Sequence, residues 1–140
     1  MTITLKRLQP DDASAFATIS PGVFDEPPRP DLIANYLRQP GHLMIVACDG
    51  DMIVGQCAAV LHHHPDKPIE LYIDEVGTAD AYLRRGIATR MVEAMLDWGR
   101  ELGCRDAWLG TELDNVEANG LYSKLGGKAE HMHYYEFKLS

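Results

Sequence analysis

Long apolar runs are missing from this chain. No stretch is long enough to cross a bilayer as a helix, so no membrane partner is expected. The first residues lack the apolar segment of a signal peptide, which predicts a cytoplasmic location. Cysteine is scarce, and Cys48, Cys57 and Cys104 show neither a CxxC pair nor metal-ligand spacing. We interpret all three as packing residues.

Positively charged residues are also few: Lys and Arg number 13 against 21 Asp and Glu, which gives a formal net charge of −8. A nucleic-acid partner would need a basic face, so this class of partner is not expected. A negative protein attracts a cationic ligand, although the same charge also serves solubility alone. The sequence contains no repeat, no low-complexity tract and no convincing linker. Residues 1–140 are therefore expected to form one domain.

Apolar periodicity predicts the element order β-α-α-β-β-β-α-β-α-β, which favours an α/β (α+β) fold with helices packed on a mixed sheet. The predicted helices are Ala13–Ile19, Leu32–Arg38 with Asp31 as its cap, Arg85–Leu102 and Asn115–Leu125. The predicted strands are Ile3–Leu8, Leu43–Cys48, Met52–Leu61, Ile69–Thr78, Ala107–Leu113 and His131–Leu139.

The third predicted helix has the clearest apolar face and opens with a basic, glycine-containing turn. Its face is expected to consist of Ile87, Met91, Met95, Trp98 and Leu102. The turn reads Leu83-Arg84-Arg85-Gly86-Ile87-Ala88-Thr89. Unpaired N–H groups and the helix dipole favour an anion there, and small residues let it approach the backbone. The alternative is a tight turn followed by a basic helix start.

Two motifs resemble the GNAT superfamily of acetyl-CoA-dependent N-acetyltransferases. The family's phosphate motif, Gln/Arg-x-x-Gly-x-Gly/Ala, is matched by residues 83–88 except that Leu83 replaces Gln or Arg. The family pattern Asn-x-x-Ala-x-x-Leu-Tyr-x-Lys-x-Gly is matched at every fixed position by Asn115–Gly126, with Gly127 where an aromatic residue usually follows. The resemblance extends from about Leu32 to the end.

This resemblance implies a GNAT fold, with a mixed, mostly antiparallel sheet flanked by about four helices, and acetyl-CoA as cosubstrate. Residues Val76–Thr78 are expected to pair with the pantetheine amides as an added strand would. The expected cofactor-binding residues are Val76, Gly77, Thr78, Arg84, Arg85, Gly86, Ile87, Ala88, Thr89, Asn115 and Tyr122. Asn115 also suits a helix N-cap, and the two roles are compatible.

Catalysis needs a neutral amine, an oxyanion donor and a proton for the departing thiolate. By its motif position, Tyr122 is the candidate general acid toward the CoA sulfur, the alternative being a core tyrosine. The backbone N–H of Val76 is a candidate oxyanion donor. Strand alternation places Asp74 and Glu75 on opposite faces, so at most one should face the cleft.

A narrower resemblance, to the aminoglycoside 3-N-acetyltransferases of the GNAT type, covers Glu70–Val76, the start of the third helix, Leu121–Gly126 and Met132-His133. It favours Glu75 as the base, directly or through water, and Glu112 as a ligand for a substrate ammonium. Either carboxylate is alternatively a solvated charge at a strand end. The acceptor is then a small cationic amine, with 3-N-acetylation of an aminoglycoside as one outcome, and a homodimer is expected.

Two other functions remain open: acetylation of a protein N-terminus or lysine, and acyl-CoA binding without catalysis. On the acceptor side the expected residues are Asp74, Glu75, Glu112 and His133. His133 is a pocket candidate, although a lone strand histidine is usually structural. Neighbouring histidines in His62-His63-His64 point in different directions, and no Cys or carboxylate completes a site at the usual spacing, so no metal is expected. A surface or pocket loop is the favoured interpretation there.

Overall fold

A computed structural model describes residues 2–140 of the chain. The chain divides into two compact units, Met1–Gly110 and Thr111–Ser140. Each unit is described by itself below. Among the residues described, no helix is both long and apolar enough to pass through a membrane.

The first unit is built on a five-stranded sheet whose order in space follows the order in the chain. Strands β1 to β4 pair antiparallel, and β5 runs parallel to β4, which confirms a mixed, mostly antiparallel sheet. The strands are β1 (Ile3–Arg7), β2 (His42–Asp49), β3 (Met52–His62), β4 (Glu70–Thr78) and β5 (Asp106–Trp108). Gly50 adopts a positive φ of 61° in the turn between β2 and β3, as an Asp-Gly hairpin requires.

Helix α2 (Ile87–Glu101) packs against β2, β3 and β4. Its buried residues are Ile87, Met91, Val92, Met95 and Gly99. The predicted face is thus correct for its first three members, whereas Trp98 is half-buried and Leu102 is 41% exposed. Gly99 explains the difference, because a Cβ there would lie 2.9 Å from Leu71 Cδ2. The absence of that Cβ lets this turn of the helix lie directly on the sheet.

The N-terminal helices depart from prediction in two ways. Residues Ala13–Ala17 form a 3₁₀ helix where the first α-helix is expected. Helix α1 (Pro30–Arg38) has Arg29 at its cap and Pro30 at its first position, so Asp31 lies in the first turn and is not the cap. The described residues therefore hold three α-helices, with 3₁₀ segments at Ala13–Ala17 and Asp80–Tyr82.

The segment between the 3₁₀ helix Ala13–Ala17 and α1 crosses the ends of β3 and β4. Backbone hydrogen bonds join Ser20 N to Ile53 O (2.9 Å) and Asp80 N to Pro21 O (3.1 Å). Val23 is buried, and its carbonyl oxygen lies 2.2 Å from where a Cβ of Gly77 would stand. Only glycine permits this approach, so Gly77 fixes the position of the loop over β4.

The second unit contains helix α3 (Val116–Lys124), which is followed by Gly126 with a positive φ of 94°. The predicted final strand His131–Leu139 is wrong, since residues 129–140 contain no strand or helix in the structure. Their large apolar side chains are exposed, and a strand without a partner leaves its backbone groups unpaired. The predicted strand Ala107–Leu113 is likewise shorter in the structure, where β5 covers only Ala107 and Trp108 of it.

Candidate active site

The second half of β4 has an open edge. Strand β5 pairs with β4 only at Glu70, Leu71 and Tyr72, and within residues 2–140 no strand continues along that side. Ala79 N donates to Val54 O at 2.8 Å, so this position faces β3. Because N–H directions alternate along an antiparallel pair, the N–H groups of Val76 and Thr78 point to the open edge. An extended ligand with amide groups can pair there.

A bulge interrupts β4 just before this edge. Ala58 opposes Glu75 and Ala59 opposes Ile73, which leaves Asp74 as the additional residue. A bulge disrupts the regular pleat and redirects the side chains beside it. Strict alternation, on which the predicted placement of Asp74 and Glu75 on opposite faces rests, is therefore broken at this position. The pKa of the neighbouring Tyr36 hydroxyl is raised, first by burial and then by the charges of both carboxylates.

The Glu75 carboxylate is held from the side of β3. Gln56, which is fully buried, donates from Nε2 to Glu75 Oε1 at 3.1 Å. The pKa of Glu75 is raised, first by partial removal of water from its carboxyl group, and then by the charges of Asp25 and Asp74; the Gln56 hydrogen bond opposes this rise. A raised pKa makes Glu75 a stronger proton acceptor than an ordinary glutamate.

Asp74 occupies a related environment. Loss of water around its carboxyl group raises its pKa; a backbone hydrogen bond within Asp74, and after it the electrostatic interaction with His42, oppose this rise. His42 lies edge-on to Tyr36, with ring centroids 5.5 Å apart. Tyr36 donates its hydroxyl proton to Leu43 O at 3.1 Å, and burial is the largest reason why its pKa is raised. Asp25, Tyr36, His42 and Gln56 were not singled out in the sequence, since nothing local to them marks a site.

The turn before α2 has the backbone of an anion site. Arg84 and Gly86 take positive φ values of 63° and 75°, and α2 starts at Ile87 with no side-chain cap. The first N–H groups of the helix have no acceptor within the helix. The Arg85 guanidinium lies 5.0 Å from the centroid of the Tyr82 ring. These features suit the pyrophosphate cradle predicted at residues 84–89.

This turn is anchored on both sides. Tyr82 Oη donates to Asp49 Oδ2 at 2.6 Å, which ties the 3₁₀ segment to the end of β2. A Cβ at Gly55 would lie 2.9 Å from Met91 Cε and 3.3 Å from Ile87 Cγ2, so glycine allows the start of α2 to pack closely on β3. These contacts thus hold the chain on both sides of the turn.

The remaining predicted site residues belong to the second unit. Asn115 Oδ1 accepts from Ala118 N at 3.1 Å, which confirms its role as the N-cap of α3. Tyr122 is half-buried on the same helix, and its carbonyl accepts from Gly127 N at 2.9 Å. Glu112 and His133 are exposed. Their roles toward a ligand stay predictions.

The three cysteines are free thiols, and burial raises the pKa of each. For Cys57, which lies in the core, the pKa rises to about 12. Thiolates are the reactive form of cysteine, so these residues are poor nucleophiles at neutral pH. This supports their interpretation as packing residues.

Comparison with known proteins agrees with this geometry. The family model for the GNAT acetyltransferases matches residues 8–127. The chain is 30% identical over 91 residues to N-alpha-acetyltransferase 30 of Schizosaccharomyces pombe, a match that covers 65% of this chain and only 61% of the yeast protein.

Solved structures extend the likeness to the whole chain. An aminoglycoside acetyltransferase from an uncultured soil metagenomic sample superposes with a TM-score of 0.81 at 26% identity, covering 100% of both chains. A second soil enzyme of this name, in complex with sisomicin, gives 0.80 at 17% identity, covering 97% of this chain and 96% of the other. With a family match over most of its length, the chain belongs to the GNAT acetyltransferase family, whose enzymes take their acetyl group from acetyl-CoA.

Proposed function

We propose that this protein acetylates a small polycationic amine of the aminoglycoside type, at the 3-amino group. The observation that carries the proposal is the group of three carboxylates, Asp25, Asp74 and Glu75, gathered beside the open edge of β4. The charges of Asp25 and Asp74 disfavour the ionised form of Glu75, and a ligand with several ammonium groups relieves that repulsion. The net charge of −8 adds long-range attraction for such a ligand.

Acetyl-CoA is proposed to bind along β4 and at the start of α2. The outward N–H groups of Val76 and Thr78 pair with the pantetheine amides, and Gly77 keeps that part of β4 in place. The pyrophosphate lies against Arg84, Arg85 and the backbone of Gly86, Ile87, Ala88 and Thr89. Asn115 adds a hydrogen bond to the pantetheine arm in the proposal. Support comes from the open strand edge and from the uncapped helix start.

The proposed reaction is direct attack of the amine on the thioester. Glu75 accepts a proton from the acceptor ammonium, directly or through water, so that a neutral amine nitrogen forms the new bond to the acetyl carbon. The carbonyl oxygen becomes an oxyanion, stabilised by Val76 N–H. When the carbon–sulfur bond breaks, Tyr122 donates a proton to the leaving thiolate. The nitrogen of the new amide loses its extra proton, which restores the Tyr122 hydroxyl. The raised pKa of Glu75 supports its assignment as base.

In this proposal the other acidic groups bind the parts of the acceptor that do not react. Asp74 and Glu112 hold ammonium groups, and His133 lines the acceptor pocket. The two soil enzymes named above are called aminoglycoside acetyltransferases, which supports this acceptor class. The family match spans residues 8–127, across both compact units, which supports one functional domain over residues 1–140.

A second candidate is acetylation of the free amino terminus of a protein. The yeast relative is named as an N-alpha-acetyltransferase, and this name favours the alternative. The same carboxylate base and the same donor site serve both reactions, because each acceptor is an amine that must lose a proton. The candidates differ in the acceptor alone.

An acceptor panel tests the proposal. Purified protein and acetyl-CoA are mixed with sisomicin, spermine or a peptide with a free N-terminus, and the free CoA thiol is measured. The matched control is the same peptide already acetylated at its N-terminus. The proposal expects thiol release with sisomicin and a product whose NMR spectrum carries the acetyl group on the 3-amino nitrogen. Release with the free peptide alone would favour the second candidate, and release with none would contradict both.

A further inference from the structure

A group of three side chains at the far end of β4 is not used by the proposed reaction. His62 ends β3 and Glu70 begins β4, and strand pairing sets these residues opposite one another. His64, in the loop between the strands, turns back so that its Nε2 lies 2.9 Å from Glu70 Oε1. The rings of His62 and His64 have centroids 4.2 Å apart. One ligand atom from each of the three residues lies within 4.8 Å of the others.

In the sequence, no Cys or carboxylate stands at metal-ligand spacing from the histidines. Antiparallel pairing of β3 and β4 nevertheless brings Glu70 to them. His62 and His64 are two positions apart, so both reach the same side while His63 stands between them and is absent from the cluster. The structure therefore supplies the carboxylate that the sequence spacing lacks.

A hydrogen bond between His64 and Glu70 explains only part of this arrangement. It requires two residues, and it gives no reason for the His62 ring to lie beside that of His64. His64 and Glu70 are both largely shielded, with side-chain exposures of 16% and 22%. Two imidazoles and one carboxylate on a partly shielded surface are instead a common donor set for transition metals.

We propose that His62, His64 and Glu70 bind a divalent transition-metal ion, with Zn²⁺ as the representative ion. Tetrahedral ligands about 2.1 Å from zinc are about 3.4 Å from one another. The ligand atoms here are up to 4.8 Å apart, and His62 is exposed and able to close the remaining distance by rotating its side chain. Water completes the fourth position.

The ion acts as a clip on the β3–β4 hairpin. It joins the two strand ends to the loop of residues 63–69, whose backbone otherwise makes no strand pairing. Glu70 and Glu75 are five positions apart on one strand, a separation of roughly 16 Å. The site is therefore distinct from the candidate active site, and its expected effect is on stability rather than on turnover.

The test uses the full chain after treatment with a chelator and removal of the chelator by dialysis. Zinc chloride is titrated by calorimetry and by thermal denaturation, with magnesium chloride in parallel, because Mg²⁺ prefers an all-oxygen site. The variants are His62→Gln, His64→Gln and Glu70→Gln. His63→Gln is the matched control, since it removes the same side chain from the same loop outside the cluster.

We expect one Zn²⁺ per chain, and a melting temperature that rises with Zn²⁺ but not with Mg²⁺. Each cluster variant should weaken binding by about tenfold or more, whereas His63→Gln should bind as the parent does. Equal weakening in His63→Gln, unchanged binding in the cluster variants, or no binding by the parent would each overturn the proposal. Should His64→Gln fail to fold, the exposed His62→Gln still decides, because its loss of binding is required.

Discussion

Buried Gln56 donates a hydrogen bond of 3.1 Å to the solvent-accessible carboxylate of Glu75. The other end of the Gln56 amide, Oε1, is buried without a hydrogen-bond partner, and within residues 2–140 it is the one buried side-chain atom in that state. An unpaired buried carbonyl costs stability. Gln56 therefore orients the Glu75 carboxylate while its own Oε1 stays without a hydrogen bond. Such a loss of stability is expected where a reactive group needs a fixed position.

Replacing Gln56 by leucine should separate activity from stability. Gln56→Leu removes the hydrogen bond to Glu75 and is expected to lower kcat/KM by about tenfold, the value of one bond to a charged group. It also removes the unpaired Oε1, so the melting temperature should stay equal or rise. Because this bond lowers the pKa of Glu75, its loss should move the acidic limb of the pH profile to higher pH.

Exposed Gln39 provides the matched control for this substitution. Gln39→Leu makes the same chemical change at the end of α1, where Nε2 bonds only to Asn35. Its pH profile should match that of the parent. A Gln56→Leu profile with an unmoved acidic limb would show that Gln56 has a structural role alone.

Ionised Glu75 should destabilise the folded protein. Its pKa in the folded state is raised above the ordinary value, so folding disfavours the charged form. The stability that the protonated Glu75 carboxyl contributes is fully present below the ordinary pKa. It is lost as pH rises through the pKa of the folded state. Glu75→Gln should therefore melt at a higher temperature than the parent at pH 7, and the difference should vanish near pH 4.

Glu93→Gln makes the same change at an exposed position of α2 and should not reproduce this pattern. The measurement is a series of melting curves for all three proteins across the pH range. A Glu75→Gln variant that melts below the parent at neutral pH would contradict the assigned direction of the pKa shift.

A side chain at position 77 should displace the loop that brings Asp25 to Glu75. In Gly77→Ala the new Cβ would lie 2.2 Å from the Val23 carbonyl oxygen, a contact with backbone that no rotamer relieves. Overpacking of this kind costs about 1–3 kcal/mol. Gly110→Ala is the control, because no heavy atom lies within 4 Å of its new Cβ. Denaturant unfolding should show a loss for Gly77→Ala only, and equal losses would refute a specific contact.

Local sequence signals predicted the elements that depend on short-range physics. The Asp-Gly turn set the β2–β3 hairpin, and a four-residue apolar spacing placed Ile87, Met91 and Met95 in the core. The prediction failed at Leu102 because close packing of Gly99 on Leu71 depends on a different element. The aromatic run of residues 131–139 showed that alternation alone does not make a strand when no partner pairs with it.

The candidate site was only partly visible for a similar reason. Motifs predicted roles for Tyr122 and residues 84–89, since these lie in continuous stretches. Gln56 and Asp25 reach Glu75 through strand pairing and through the loop that crosses Gly77, neither of which leaves a local pattern. The bulge at Asp74 also has no local sequence pattern, because it arises from the register between β3 and β4.

Tyr122→Phe tests the proposed general acid. Removing the hydroxyl should lower kcat by about a hundredfold, the typical contribution of a positioned acid, while acetyl-CoA binds almost as before. The control is Tyr72→Phe, in which the ring remains stacked on Trp108 at a centroid distance of 4.1 Å. Turnover is followed by CoA release and affinity by calorimetry. A Tyr122→Phe enzyme with parental kcat would remove this residue from the mechanism.

The turn before α2 should require glycine at position 86 for its backbone and not for space. Gly86 has a φ of 75°, and a Cβ there meets no heavy atom within 4 Å. Gly86→Ala therefore carries the strain of a left-handed backbone, about 1–2 kcal/mol, or relieves it by changing the turn. If the N–H groups of this turn hold the pyrophosphate, relief of strain misplaces them and weakens acetyl-CoA binding.

Gly103→Ala is the matched control for Gly86→Ala. It also has a positive φ, of 94°, and open space around its Cβ, but it lies beyond the other end of α2. Both alanine variants should lose similar thermal stability, whereas only Gly86→Ala should raise the Kd for acetyl-CoA, by about tenfold for 1.4 kcal/mol. Calorimetric titration of the two variants with acetyl-CoA and with pantetheine separates the effects. Because pantetheine lacks the pyrophosphate, its binding should be equal in both, and a defect confined to stability would place the anion elsewhere.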